Sequence, residues 1–194
     1  MAKVTRVWAR EIIDSRCSPT VEAACQLDTG HIVTASVPSG SSTGTHEALE
    51  LRDGDPKKYL GKGVSTAVNN INQIISPAIS GMDPTDQYKL DQKLIELDGT
   101  ENKSKLGANA TLAVSMVACK AGALTARQSL FYWISQLSKG LGLNSSLHIP
   151  TPLFNMINGG LHGAGNLDFQ EFWVIPASSK PYSEGLRAGI TQNS

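Results

Sequence analysis

The run Ser39-Gly40-Ser41-Ser42-Thr43-Gly44-Thr45-His46-Glu47 brings hydroxyls, two glycines, an imidazole and a carboxylate into one short stretch. Small residues let backbone N–H groups come close to an anion or a metal-bound phosphate, and that is the chemistry the run could offer. It is not a P-loop: no Lys follows its second glycine, and Gly61-Lys62 fails because Gly63 stands where Ser or Thr is required. The plain alternative is a flexible Ser/Gly connection. A second stretch, Asn158 to Asn166, is dense in glycine and leads into Asp168, Gln170 and Glu171. A carboxylate and an amide inside Phe169-Gln170-Glu171-Phe172-Trp173-Val174 are costly to bury without partners, so Gln170 and Glu171 are expected to face a polar cavity. His162, on that glycine-rich stretch, could carry or donate a proton near neutral pH, or be an ordinary surface histidine.

The elements that must position these groups follow from periodicity. Val4 to Ala9, Thr20 to Leu27 and His31 to Val37 read as short strands separated by Asp14-Ser15-Arg16 and Asp28-Thr29-Gly30. An antiparallel meander with one buried face is the economical reading, with Val21, Ala23, Cys25 and Leu27 on that face. Val64, Val68, Ile71, Ile75 and Ala78 then recur at helical spacing from Val64 to Ile79. Asp83-Pro84 offers the start of a further helix and Asp98-Gly99 its stop. Asn109 to Ala126 predicts a helix buried on most sides, and Ser129 to Leu137 another. The Gly/Ser/Asn-rich segment from Lys139 to Ser146 marks a boundary, giving an α+β domain over residues 1–140 and a second unit over 141–194. In that unit, Ile149 to Ile157 and Phe169 to Ile175 read as buried strands and Pro181 to Gln192 as a helix. So few elements cannot bury a core of their own, so the unit is expected to be incomplete.

Composition narrows the function. Seventeen Lys plus Arg balance seventeen Asp plus Glu, and no charged block is long, so nucleic acid and anionic membrane surfaces are not the expected partners. Cys17, Cys25 and Cys119 form no C-x-x-C pair and lack His at metal-ligand spacing, which argues for a reducing, cytoplasmic setting with cysteines that only pack, Cys119 most clearly. The N-terminus shows neither signal peptide nor membrane span.

In chain order these stretches resemble the enolases, which interconvert 2-phosphoglycerate and phosphoenolpyruvate. The resemblance is carried by Asp14-Ser15-Arg16 with Pro19-Thr20-Val21-Glu22, Val37-Pro38-Ser39-Gly40, Ser42-Thr43-Gly44, and His46-Glu47-Ala48-Leu49-Glu50-Leu51-Arg52-Asp53-Gly54-Asp55. It continues through Leu60-Gly61-Lys62-Gly63-Val64, the run from Leu97 to Ala110, Asn158-Gly159-Gly160 and Gln170-Glu171-Phe172.

The resemblance implies an N-terminal α+β cap, an antiparallel meander followed by helices, joined to the opening strands and helix of an incomplete (β/α)8 barrel. It implies a glycolytic lyase that uses two magnesium ions per active site and forms a homodimer or larger homo-oligomer. By the same likeness Ser42 is a magnesium ligand, His162, Gln170 and Glu171 bind substrate, and Arg10 and Glu22 lie at the dimer interface. The base, the acid and the main metal ligands of the family fall on later barrel strands, so this chain alone is expected to be inactive. The alternative is a repurposed, non-catalytic cap that only binds, including at the cell surface. Where the family usually carries Gly-Asn after the arginine, this chain carries Cys17-Ser18, and Leu161 and Gly163 depart from the usual histidine loop. A positive φ at residue 17 would strain a side chain there.

Overall fold

The computed structural model describes residues 2–40, 43–143, 146–160 and 167–192. It falls into two compact units, Met1–Ser145 and Ser146–Ser194. The first opens with β1 (Val4–Ile13), β2 (Pro19–Leu27) and β3 (Ile32–Ser36), an antiparallel meander in that order. On β2 the expected face is buried, with Val21, Ala23, Cys25 and Leu27 inside and Glu22 and Gln26 half-buried, but Ala24 on the opposite face is buried as well. On β1, Val4 and Val7 are both buried although they lie three positions apart, because the register shifts between Val4 and Arg6. At the β1–β2 turn one Asp14 carboxylate oxygen accepts the backbone N–H groups of Arg16 and Ser18, both at 2.8 Å. Cys17 there adopts φ 59, so the turn keeps a glycine-like backbone with a side chain in place.

The helix read over Val64 to Ile79 is α1 (Ser65–Asn70), a π-helical segment (Ile71–Ile75) and α2 (Ser76–Ile79) in succession. Its fully buried residues are Val64, Ala67, Ile71, Ile75 and Ile79, whereas the expected Val68 and Ala78 are only half-buried. Repeated four-residue steps walk off one face of an ideal helix by about 40° each, and the wider π turn absorbs that drift. Side chains from this rod also meet the outer side of β1. Val7 N donates to Ser76 Oγ at 3.1 Å, Ala9 N donates to Asn72 Oδ1 at 2.8 Å, and Ser80 Oγ donates to the Thr5 carbonyl at 3.0 Å.

Next come α3 (Gln87–Asp98), α4 (Ala108–Thr125) and α5 (Leu130–Gly140). Asp83 does not cap α3. It accepts the N–H and hydroxyl of Thr85 in a local turn, and Asp86 caps the helix one turn later through Lys89 N at 3.1 Å. Gly99, at φ 69, stops α3 as expected. On α4, Ala110, Ala113, Val114, Val117, Ala118 and Ala121 are buried, and the helix packs on β2, β3, α3 and α5. Small residues permit that approach: a Cβ on Gly122 would come within 2.5 Å of the Pro84 carbonyl oxygen. Cys119 is only half-buried, and Cys25 is the thiol fully enclosed in the core, where burial pushes it up to about 11. The turn after α5, with Leu143 N donating to the Ser138 carbonyl, carries the first unit past residue 140 to Ser145.

The second unit holds β4 (Phe154–Asn158), β5 (Glu171–Val174) and α6 (Tyr182–Gln192). The strands pair antiparallel, Phe154 with Val174 and Asn158 with Glu171. One expectation fails here, because the strands are not buried: every residue of β5 is exposed, and only Gly159, Gly185 and Gly189 are buried among the described residues of this unit. Apolar sequence alone cannot distinguish a strand enclosed by neighbours from one that has none.

Candidate functional site

Ser42 and His162 both lie outside the described residues. The backbone leading to Ser42 is closely held. Ser39 is buried, and two arginines reach it: Arg52 Nη2 donates to its hydroxyl at 2.7 Å, and Arg16 Nη2 donates to its carbonyl. The rest of the Arg52 guanidinium is also engaged, Nη1 with the carbonyls of Pro19 and Lys62 at 2.6 Å each and Nη2 with Glu50 Oε1 at 2.7 Å. A cavity of about 300 Å³ lies here, lined by Asp14, Arg16, Ser39, Glu50, Arg52 and Lys62 among others. The Ser18 backbone N–H, opposed by partial burial and helped by Arg16, holds the Asp14 carboxyl below its usual range.

Downstream of this stretch the chain is pinned to α4. Asn109 Nδ2 donates to the Leu51 carbonyl at 3.0 Å and its Oδ1 accepts from Leu51 N, while Leu49 N donates to the Asn102 carbonyl at 2.7 Å. Part of the run from Leu97 to Ala110 is therefore scaffold for residues 49–51. Asp98 anchors that scaffold, buried and accepting Leu106 N at 2.7 Å. Asp53 accepts Ser65 N, Ser65 Oγ and Thr66 N, at 2.9, 2.6 and 2.8 Å, and so caps α1 from a distant part of the chain. Partial burial pushes its carboxyl up, and those donors together bring it down to about 2. His46 is exposed on the described flank of the run.

Gln170 and Glu171 are adjacent and both exposed, so the polar cavity expected around them is not formed by the described residues. Glu171 begins β5, and the antiparallel pairing sets it beside Asn158, the last residue of β4. Trp173 Nε1 donates to its carboxylate at 2.7 Å. Gly159 N donates to the Gln170 carbonyl at 2.9 Å, and a Cβ at Gly159 would collide with the Phe169 carbonyl, which accounts for the first glycine of Asn158-Gly159-Gly160.

Arg10 and Glu22 are cross-strand partners, their charged groups 2.7 Å apart, and Ser36 Oγ on β3 donates to the same carboxylate at 3.2 Å. The Arg10 side chain is 73% exposed. Among the described residues no group of three or more His, Cys, Asp or Glu is placed to hold a metal ion, and Ser42 lies outside them. No helix among them is long and apolar enough to cross a membrane. The Arg16–Ser39–Arg52–Glu50 network went unread in the sequence because its acceptors are mostly backbone carbonyls, which leave no mark in residue type.

Two family models match the chain in succession. One, described as enolase, N-terminal domain, matches residues 4–134, and the other, described as enolase, C-terminal TIM barrel domain, matches residues 146–192. The second match is far shorter than the roughly 200 residues of a closed barrel.

Proposed function

Because the chain belongs to the enolase family, we propose that it is the cap and opening barrel segment of a lyase that reversibly dehydrates 2-phosphoglycerate to phosphoenolpyruvate. The observation that carries this reading is the pair of family matches, in chain order, over most of the 194 residues. In this reading His162, Gln170 and Glu171 contact substrate, Ser42 contributes to magnesium, and Arg10 and Glu22 lie on the face of a homo-oligomer.

The exposed Gln170 amide suits a carboxylate or phosphate oxygen, to which it can donate. Glu171 is acceptor-only when ionised, so beside a substrate with a carboxylate and a phosphate it serves the hydroxyl end and repels the charged groups. The three free cysteines support a reducing, cytoplasmic setting.

The 194-residue chain, purified and given 2-phosphoglycerate with magnesium, is expected to form no phosphoenolpyruvate, because in this reading the proton-abstracting base falls on later barrel strands. Product formation, followed by ultraviolet absorbance, would overturn that part of the reading. Sequencing the source gene past codon 194 tests the rest. An open frame carrying a Lys base and carboxylate ligands supports the lyase; a stop codon favours a non-catalytic cap.

A further inference from the structure

We propose that Arg52 is a positioning residue which, with Arg16, fixes Ser39 and thereby the point from which the polar run through Glu47 departs. The inference rests on the reading that this run serves the active site, but its geometry stands apart from that reading. Ser39 is gripped from two directions, its hydroxyl by Arg52 Nη2 and its carbonyl by Arg16 Nη2. Neither arginine is free to follow a moving chain. Arg16 belongs to the β1–β2 turn, where Asp14 accepts its backbone N–H. Arg52 is tied to the first residue of β2 through the Pro19 carbonyl and to the turn before α1 through the Lys62 carbonyl.

Both anchors are therefore part of the sheet and its flanking turns, and Ser39 is referenced to them. The far end of the run has further anchors of its own, Leu49 on Asn102 and Leu51 on Asn109, besides the bond from Arg52 to Glu50. A planar guanidinium can serve four acceptors in fixed directions at once; an ammonium on a flexible stem cannot reproduce that fork. The four bonds divide by purpose. The two from Nη1 hold turns of the scaffold together, the one to Glu50 holds the chain just beyond the run, and the one to Ser39 Oγ holds only the start of the run.

That division supplies a test a purely structural role would not pass. Ser39→Ala deletes the bond from Arg52 to the run and leaves the Nη1 bonds intact, so it is expected to raise amide hydrogen exchange about tenfold at Glu47, whose N–H donates to the Gly44 carbonyl, while the amides of α4 stay protected. Arg52→Lys is expected to raise exchange at the same amide and also to lower the melting temperature, because it breaks both kinds of bond. In the double variant the Ser39 substitution should add little, since its partner is already gone.

Unchanged exchange at Glu47 in Ser39→Ala would overturn the proposal, as would a uniform rise across α4 and Glu47 together. Exchange is read on the chain without substrate or metal. A failure of the lyase reading would therefore leave this result untouched, and a failure here would leave the lyase reading standing.

Discussion

Cys17 holds a backbone conformation that L-residues adopt at a cost of about 1–2 kcal/mol, and it does so at φ 59 with its side chain exposed. Cys17→Gly is therefore expected to stabilise the first unit by about 0.5–1 kcal/mol, after the greater chain entropy of glycine offsets part of the relief. Urea unfolding with an unchanged slope is the measurement, and Cys17→Ala should show no comparable gain. Asp53 gives a second, pH-dependent expectation. Its folded pKa, about 2, lies below the ordinary carboxylate value, so its contribution is present above about pH 4 and is lost as pH falls toward 2. Asp53→Asn should cost about 1–2 kcal/mol at neutral pH, the range of a lost helix cap. The gap between variant and parent should close across that acid window. The capping role was not legible in the sequence, because Asp53 precedes Ser65 by twelve residues and meets it only through the fold.

At the level of elements, the meander and the helices were readable because burial on one side imposes a period. The stretch from Val64 to Ile79 shows the limit: its span was legible, but the π segment was not, because a helix periodicity reading assumes one uniform pitch. Likewise Asp83 and Asp86 carry the same capping chemistry, and only the Asp83–Thr85 turn decides which of them starts α3. Packing of α4 against the turn before α3 depends on Gly122, where an added methyl would meet a backbone oxygen that cannot swing aside. Gly122→Ala is expected to destabilise by about 1–3 kcal/mol, against the modest gain a helix-interior Gly→Ala change normally brings. Denaturant titration would show a lowered midpoint; a raised one would mean that α3 and α4 can separate at little cost.

Across the whole molecule, burial is divided unequally. The first unit has a continuous core from Val4 to Ala121, whereas the described part of the second buries only glycines. Limited proteolysis is accordingly expected to cut first within residues 146–192 and to leave a resistant product close to Met1–Ser145. Equal resistance of both parts would contradict that division. The same inequality explains which part of the candidate site the sequence exposed. Gln170 and Glu171 were conspicuous as polar residues in an apolar run, but their surroundings could not be read because the run has few neighbours of its own. The covering of β1 by Asn72, Ser76 and Ser80 also bears on the making of the protein. Ala9 leaves the ribosome 63 residues before Asn72, its hydrogen-bonding partner, which at about 5–20 residues per second is a wait of roughly 3 to 13 s. Throughout that interval the nascent strand has an open edge, and chaperone capture or pairing with a neighbouring chain on the same polysome competes with the helix still to come.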